Sequence, residues 1–461
     1  MKPTGDLSCR FLPRHSRVAA NGRPLGRGGV SRGRGPSPST RAGCSRTGPA
    51  AALHIPTRRT TSGVATCDVV IPACNAERYI AAAIASVLNQ SHAASRIVIV
   101  DDASSDRTAD KAAAFGDRVR IVTGEGKGPG AARNLGVRHS DSELVAFLDA
   151  DDVCRPDRLT RQMHALVANP DAAMVFCDAD YTDASGQPTG ALFTCPEYRR
   201  EAFLGQLFER NRILTTSVVM VRRPAFDAVG GFDEHLSHAE DYDLWLRLAG
   251  SGVIEHVPQS LVAYRLHASN LSGNREAHRR HEVEILNTHA VRDIRAALLD
   301  TYGSLARADV ALSCVLFRME RYIEGEILLR RVRPEESDRA LRHFLLGNFA
   351  VKRHDVERAV AEYGRCLACE PTFAPAHNNL GVIAAERGRS EQSREHFITA
   401  ADLRPEYADP RRNLDALQEG RGSDVRYTLA PLRAVLRPAL HAMCSLTRRH
   451  RSTILSARSD A

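Results

Sequence analysis

The sequence predicts an α/β domain, built on a mostly parallel sheet with helices on both faces, followed by an all-α solenoid of helical hairpins. Three observations carry this. Short apolar runs alternate with helix-period segments from Cys67 through the helix expected after Pro156. Polar residues crowd at the ends of those runs, at Pro72–Asn75, Asp101–Ser104 and Asp149–Asp152. Beyond about residue 305, aromatic, Gly and Pro positions recur with a fixed spacing.

Each element follows from local chemistry. Asp68–Pro72 reads as a strand, and Ile80, Ile84, Val87 and Leu88 then share one helical face, with Asn75 as the expected N-cap. Arg96–Asp101 (RIVIVD) is a second strand, followed by a helix capped by Ser104 or Ser105. Arg118–Thr123 is a third strand. The loop GEGKGPG leads into a helix around Ala131–Val137, and Leu144–Leu148 is a fourth, fully apolar strand. Alternation at this spacing argues for parallel pairing, and such sheets bind ligands at the carboxyl ends of their strands. Later come a strand at Val218–Arg222 and an amphipathic helix that buries Leu244, Trp245 and Leu248.

In the second half, Gly347 and Gly381 are 34 positions apart, as are Tyr363 and Phe397, Pro371 and Pro405, and Phe373 and Tyr407. That period is the tetratricopeptide signature, with the glycines allowing close helix packing and the prolines ending each second helix. A more degenerate unit is expected over 305–335. So short an array should lean on the first domain or on a partner protein. Leu429, Leu432, Leu436, Leu440 and Met443 fall at helical spacing and read as a capping helix in preference to a membrane-surface helix.

Composition bounds the rest. The 461 residues have room for two or three domains, and 43% hydrophobic content can build substantial cores. The net charge of +8 is uneven, with Asp6 the only acid in residues 1–65. The expected organisation is a disordered basic extension at 1–65, the α/β domain at 66–290, a helical linker and repeats at 291–417, and a basic helical tail at 418–461. With a single Trp and no aromatics clustered among basic residues, nucleic acid is not an expected partner. Eleven cysteines without framework spacing point to a reducing compartment, and Cys366 with Cys369 forms a lone CxxC lacking a second pair for zinc. No apolar stretch approaches the ~20 residues that span a bilayer. A cytoplasmic location is expected, with peripheral attachment at the inner membrane face allowed.

VAFLDADD, residues 145–152, is the most telling stretch. Asp149, Asp151 and Asp152 crowd at a strand end, where they repel unless a cation neutralises them. Mg²⁺ or Mn²⁺ favours such oxygen ligands and shares them with substrate phosphates. The plainer alternative is an N-cap with two solvated loop acids.

Five segments, VVIPACNAERYI, IVIVDDASSDRT, GPGAARNLGV, VAFLDADD and GGFDEHLSHAEDYDLWLRLAGSG, occur in this order. Together, over residues 67 to about 275, they closely resemble family 2 glycosyltransferases, inverting enzymes of GT-A fold that use nucleotide-sugar donors. The resemblance implies donor binding by Pro72, Cys74, Asn75, Asp102, Arg133, Asp149 and Asp151, with Asp102 recognising the base. Many relatives carry an aromatic at the Cys74 position. It implies a divalent metal on Asp151, Asp152 and Asp149, and Asp241 as the base that takes the acceptor's proton. Glu240 is assigned to the acceptor, and Arg265 and His267, within YRLH, to the diphosphate or metal. Asn211, Thr215 and Ser217 are placed on the acceptor side. The implied partners are a UDP-sugar, a glycan, lipid-linked or protein acceptor, and a protein bound by the repeats. A processive polysaccharide synthase is disfavoured, since membrane helices and a QxxRW motif are missing. A non-catalytic repeat scaffold carrying a degenerate sugar-nucleotide module is the remaining alternative.

Overall fold

The computed structural model describes residues 65–429, apart from 269, 271–273 and 334–338. The basic extension expected at 1–65, except Ala65, and the tail helix expected from Leu432 to Met443 lie outside the described residues.

The chain starts as its apolar periodicity dictates. Strand β1 (Cys67–Ala73) is wholly buried, and α1 (Ile80–Leu88) joins the same core through Ile80, Ala83, Ile84 and Val87. Then come β2 (Arg96–Asp101), α2 (Thr108–Ala113), β3 (Arg120–Thr123), α3 (Pro129–Arg138) and β4 (Leu144–Phe147). Residues 116–118 form a 3₁₀ turn, so the third strand is shorter than its apolar run suggested. The pairs β3–β2, β2–β1 and β1–β4 are all parallel, as expected. Gly136 lets α3 lie directly on β1, since a Cβ there would sit 2.3 Å from Val70 Cγ1.

The remaining elements of the sheet are β5 (Val153–Cys154), α4 (Arg158–Ala168), β6 (Ala172–Thr182), β7 (Pro188–Phe193), α5 (Phe203–Glu209), β8 (Val219–Arg222), α6 (Arg223–Ala228), α7 (Glu240–Ser251) and β9 (Val253–Arg265). The order is β3-β2-β1-β4-β8-β6-β9-β5, with β7 on β6. Here the mostly parallel expectation needs correcting. β8 runs antiparallel to both β4 and β6, as do β5 to β9 and β7 to β6, and only β6–β9 returns to parallel. An apolar run shows that a strand is buried but not which way it points, so the reversal was invisible in the residues. The chain leaves β1 toward β2 and β3, then returns to β4 on β1's other side. That reversal opens a crevice at the carboxyl ends of β1 and β4.

Buried polar groups hold both ends of these strands, Arg158 at the carboxyl end of β4 and Asp68 at the amino end of β1. Arg158, fully buried, donates to the carbonyls of Phe147 (2.8 Å) and Val219 (3.0 Å) and to Gln162 Oε1 (3.1 Å). Asp68 accepts four hydrogen bonds from the 140–142 turn, two from Ser140 and Ser142 hydroxyls at 2.7 Å and two from backbone amides. Each bond replaces the hydration these ions lose on burial.

The helices α8 (Arg275–Asn287) and α9 (Val291–Tyr302) join the sheet domain's own core through Ile285, Leu286, Ile294 and Leu298. The next helix, α10 (Leu305–Arg318), belongs to two cores at once. Ala308, Ala311, Leu312 and Val315 face the sheet domain, whereas Val310, Cys314 and Phe317 face the repeats. The array therefore leans on the first domain. With α11 (Tyr322–Arg331), α10 occupies the span where the degenerate unit was expected. The clearer hairpins are α12 (Arg339–Lys352) with α13 (Val356–Cys369), and α14 (Ala374–Glu386) with α15 (Ser390–Leu403), followed by α16 (Ala408–Gln418). A Cβ on Gly347 would lie 2.4 Å from Tyr363, and one on Gly381 2.7 Å from Phe397, so each glycine admits an aromatic ring from the partner helix. Cys366 is buried and Cys369 exposed, both as free thiols. No helix among the described residues is long and apolar enough to cross a membrane.

Candidate active site

A cleft of about 1050 Å³ opens at the carboxyl ends of β1 and β4. Pro72, Cys74, Asn75, Asp102, Arg133, Asp149, Asp151, Glu240, Asp241 and His267 all line it. Asp152 and Arg265, of the predicted residues, do not. Segments more than a hundred residues apart are thus gathered into one concavity, in the size range of ligand pockets.

At one end, Asn75 adopts a left-handed conformation (φ 51°) and does not cap α1, whose N-cap is Tyr79. Its Oδ1 instead accepts from the Ser105 amide (2.9 Å) and hydroxyl (3.0 Å), tying the end of β1 to the loop after β2. Neither Ser104 nor Ser105 caps α2; the Thr108 amide donates to Asp106 Oδ1 at 2.9 Å. Asp102, 6% exposed, accepts from the amides of Gly126 and Gly128, each at 2.8 Å. It therefore shapes the glycine-rich loop, while its carboxylate still borders the cleft.

In the middle, Arg133 is 5% exposed and reaches from α3 to two carboxylates. Nη2 donates to Asp149 Oδ1 (2.7 Å) and Nη1 to Glu240 Oε1 (2.8 Å). It is thus a clamp between the end of β4 and the start of α7, rather than a free arginine awaiting diphosphate. Asp149 also accepts from the hydroxyls of Thr215 (2.9 Å) and Thr216 (3.0 Å), and its amide donates to Ser217 Oγ (2.9 Å). Burial pushes its carboxyl upward, but the Arg133 charge and these donors outweigh it and hold the group below the usual range.

Asp151 behaves differently. Burial, then the Asp149 charge, raises its affinity for a proton. Its Oδ2 shares a hydrogen bond with His267 Nε2 at 2.8 Å, and the His267 ring stacks on Tyr79 at 5.0 Å. Asp152 is fully buried, where it accepts from the Arg265 amide (2.9 Å) and is raised well above the carboxylate range by burial and its acidic neighbours. Arg265 donates Nε to the Asp151 carbonyl (2.8 Å) and lies over Tyr79, 5.0 Å from its centroid. Arg265 thus braces the acidic turn from behind. Among the described residues, no group of three or more His, Cys, Asp or Glu is arranged to hold a metal. Asp149 also lines the cleft, but Arg133, Thr215 and Thr216 occupy its oxygens, which leaves Asp151 and His267, hydrogen-bonded to each other, as the remaining predicted metal donors on the cleft wall. Such a pair suits a divalent ion that takes its other ligands from substrate phosphates and water.

Asp241 lies in the first turn of α7, just past Ala239 in left-handed conformation (φ 59°). Its Oδ1 accepts from the Tyr242 amide at 2.7 Å. Burial and the adjacent Glu240 charge push its carboxyl up to about 7. A carboxylate poised there accepts a proton near neutral pH far better than an ordinary aspartate. Trp245 lies in the core, as expected.

Sequence reasoning missed Thr216 as a donor to Asp149 and Tyr79 as the platform under His267. The hydroxyl run TTS and the tyrosine of ERYI were the available signals. It also missed His238 and His278, which border the cleft on the Asp241 side; their spacing carried no pattern. Asn211 and Thr215 line the cleft, whereas Ser217 lies behind Asp149.

Residues 68–230 match the model of glycosyl transferase family 2, and residues 362–395 a tetratricopeptide repeat. An Escherichia coli UDP-Glc:alpha-D-GlcNAc-diphosphoundecaprenol beta-1,3-glucosyltransferase is 29% identical over 212 residues, 45% of this chain and 80% of that protein. Chondroitin synthase of Escherichia coli is 28% identical over 208 residues, 44% of this chain and 29% of its own length. An uncharacterized glycosyltransferase of Rickettsia prowazekii is 27% identical over 44% of this chain, which spans 64% of that relative. Residues 1–349 of S. aureus TarS, solved with UDP-GlcNAc, superpose with a TM-score of 0.43 at 16% identity, over 74% of this chain and 93% of that one.

Proposed function

Taking residues 68–230 as a family 2 glycosyltransferase domain, we propose that this protein moves a sugar from a UDP-sugar to an acceptor hydroxyl, with inversion and with Asp241 as general base. One observation carries the reading. Asp241, its proton affinity raised toward neutrality, opens into the same cleft as Asp102, Asp149 and Asp151. Donor and acceptor can therefore meet within reach of a base.

The chemistry follows. An acceptor hydroxyl is a weak nucleophile until its proton is being removed. Asp241 takes that proton as the acceptor oxygen attacks the anomeric carbon from the face opposite the leaving group. The bond to the diphosphate oxygen breaks with its electron pair, and the configuration inverts. Asp151 and His267 would hold a divalent cation, Mn²⁺ or Mg²⁺, whose chemistry is to neutralise charge on the departing diphosphate. Pro72, Cys74, Asn75 and Asp102 form the nucleoside end, with the 124–128 loop held in shape by Asp102. Arg133 fixes Asp149 against Glu240 and so holds the donor side at a set distance from α7. Arg265 keeps the Asp151 turn in place. The uridine diphosphate moiety is carried over from the Escherichia coli relative whose name specifies UDP-Glc. A glycan, lipid-linked or protein acceptor fits the His238 and His278 side of the cleft. The scaffold alternative has no such support, because it gives no reason for three strand-end carboxylates and a raised Asp241 to share one cavity.

A panel of UDP-sugars, each with and without Mn²⁺, tests this by thermal shift and by release of UDP. At least one donor should raise the melting temperature and be turned over in a metal-dependent manner. Failure of every UDP-sugar to bind or to be hydrolysed would refute the proposal.

A further inference from the structure

Helix α5 ends at Glu209, and a helix end leaves its last carbonyls without intrahelical partners. Three of them are met by side chains from two distant helices. Tyr242 Oη of α7 donates to the Leu207 carbonyl at 2.7 Å, and Arg318 Nη1 of α10 donates to the carbonyls of Phe208 (2.7 Å) and Glu209 (2.6 Å). Arg318 Nη2 also pairs with Glu282 Oε1 of α8 at 3.2 Å, and its guanidinium lies over the Tyr242 ring, 6.0 Å from the centroid. Tyr242 is 0% exposed and the Arg318 side chain only 15%. A cation so placed also meets the negative end of the α5 dipole.

Each element joined at Arg318 leads into the cleft wall. Past its end, α5 runs on into residues 211–216, where Thr215 and Thr216 line the cleft and hold Asp149. In α7, the amide of Tyr242 donates to Asp241 Oδ1 at 2.7 Å. In α8, Glu282 stands one helical turn after His278, another residue of the wall. Arg318 itself closes α10, the helix shared by the sheet domain's core and the repeats. The nucleoside end of the cleft, by contrast, is built from the ends of β1 and β2.

We infer that Arg318 is a positioning residue for the transfer step. Through it, the helix that begins the repeat half fixes the base-bearing turn of α7 and the 211–216 segment, while donor binding is left to the sheet's own strand ends. The inference rests on Asp241 being the base. It gives the repeat half a share in turnover that is separable from donor affinity.

The probe is release of UDP from UDP-glucose in Mn²⁺ by full-length variants, with donor affinity measured separately by calorimetry. Arg318→Met keeps the apolar stem and removes the charged fork. Misplacing a reacting group by about 1 Å costs about 10²-fold, so kcat should fall about tenfold to hundredfold with the UDP-glucose Kd within about twofold of wild type. Arg318→Lys keeps the charge beside Glu282 but cannot span two carbonyls as the fork does, so its kcat should lie between the two, and it carries the test if Arg318→Met fails to fold. Tyr242→Phe breaks another bond of the same cap, so its loss in log kcat should not add to that of Arg318→Met. Where UDP-glucose is not turned over, amide exchange decides: residues 211–216 and Tyr242 should exchange about tenfold or more faster in the Arg318 variant, with β1 unchanged. Wild-type kcat in the folded Arg318 variants, a loss of donor affinity as large as the loss of kcat, or unmoved exchange would overturn the inference. Turnover surviving in Asp241→Asn strikes the base itself, whereas turnover lost there but kept in the Arg318 variants strikes this inference alone.

Discussion

Replacing Asp241 with Asn removes the proton acceptor while keeping the side chain's size and its place at the start of α7. A positioned general base contributes about 10²–10⁴ in rate, or about 3–5 kcal/mol of barrier. The kcat for sugar transfer should fall by that factor, with the Kd for the UDP-sugar nearly unchanged, because the donor side rests on other residues. The structure adds a second expectation. The Asp241 carboxyl is pushed from 3.8 to about 7, chiefly by burial and then by Glu240. The fold therefore binds a proton more tightly than the unfolded chain, so stability is greatest at low pH and is lost as pH rises from about 4 to about 7. At full value, three pH units are worth about 4 kcal/mol. The side chain is partly open to the cleft, and screening reduces this to about 1–2 kcal/mol. Asp241→Asn should accordingly melt a few degrees higher than wild type at pH 8, with the gap closing at pH 5. In the wild type, log(kcat/KM) should rise with unit slope up to about pH 7 and then level. UDP release gives the rates, and calorimetry at the two pH values gives the stabilities. Wild-type turnover by Asp241→Asn would refute the assignment of the base. A pH profile flat from 5 to 8 would refute the electrostatic account.

Asp151→Ala should weaken UDP-sugar binding about tenfold or more in Mn²⁺ and leave the weaker binding in chelator unchanged, as isothermal titration would show; equal loss in both conditions would deny it a metal-linked role. Arg133→Met should destabilise the fold by about 3–5 kcal/mol, because the Asp149 and Glu240 carboxylates then lie buried without a counter-ion; denaturant midpoints measure this, and the loss should shrink as the pH is lowered, because burial of Asp149 is then no longer opposed by the Arg133 charge and favours its protonation. Gly381→Ala should destabilise the repeats by about 1–3 kcal/mol, since its Cβ would lie 2.7 Å from the Phe397 ring. Paired with Phe397→Leu, that substitution should be largely relieved, and an additive double-mutant cycle would contradict the packing argument.

The residues alone determined a good deal. The run VVIP, the run RIVIVD and the run LVAFL place three strands, because continuous burial requires continuous apolarity whatever the surroundings. The 34-residue spacing of Gly347 and Gly381 located the hairpins, since each glycine marks where one helix must admit the other's aromatic ring. The acidic cluster at 149–152 and Asp241 marked one cleft from both ends. What the residues could not state was direction and partnership. An apolar strand reads the same in both senses, so the antiparallel return of β8 was hidden. Three neighbouring aspartates look alike in sequence, yet tertiary contacts give them separate fates: Arg133 claims Asp149, His267 claims Asp151, and the Arg265 amide claims Asp152 inside the core. Arg133 and Glu240, 107 positions apart, acquire their roles only through each other. The buried asparagines of the repeats are the plainest case. Polar residues on a helix carry no periodic apolar signal, and only the folded chain shows that Asn379 pairs with the backbone of Thr428 and Asn413 with that of Arg426. Periodicity records which faces avoid water, whereas hydrogen bonds between distant residues depend on distances that only packing sets.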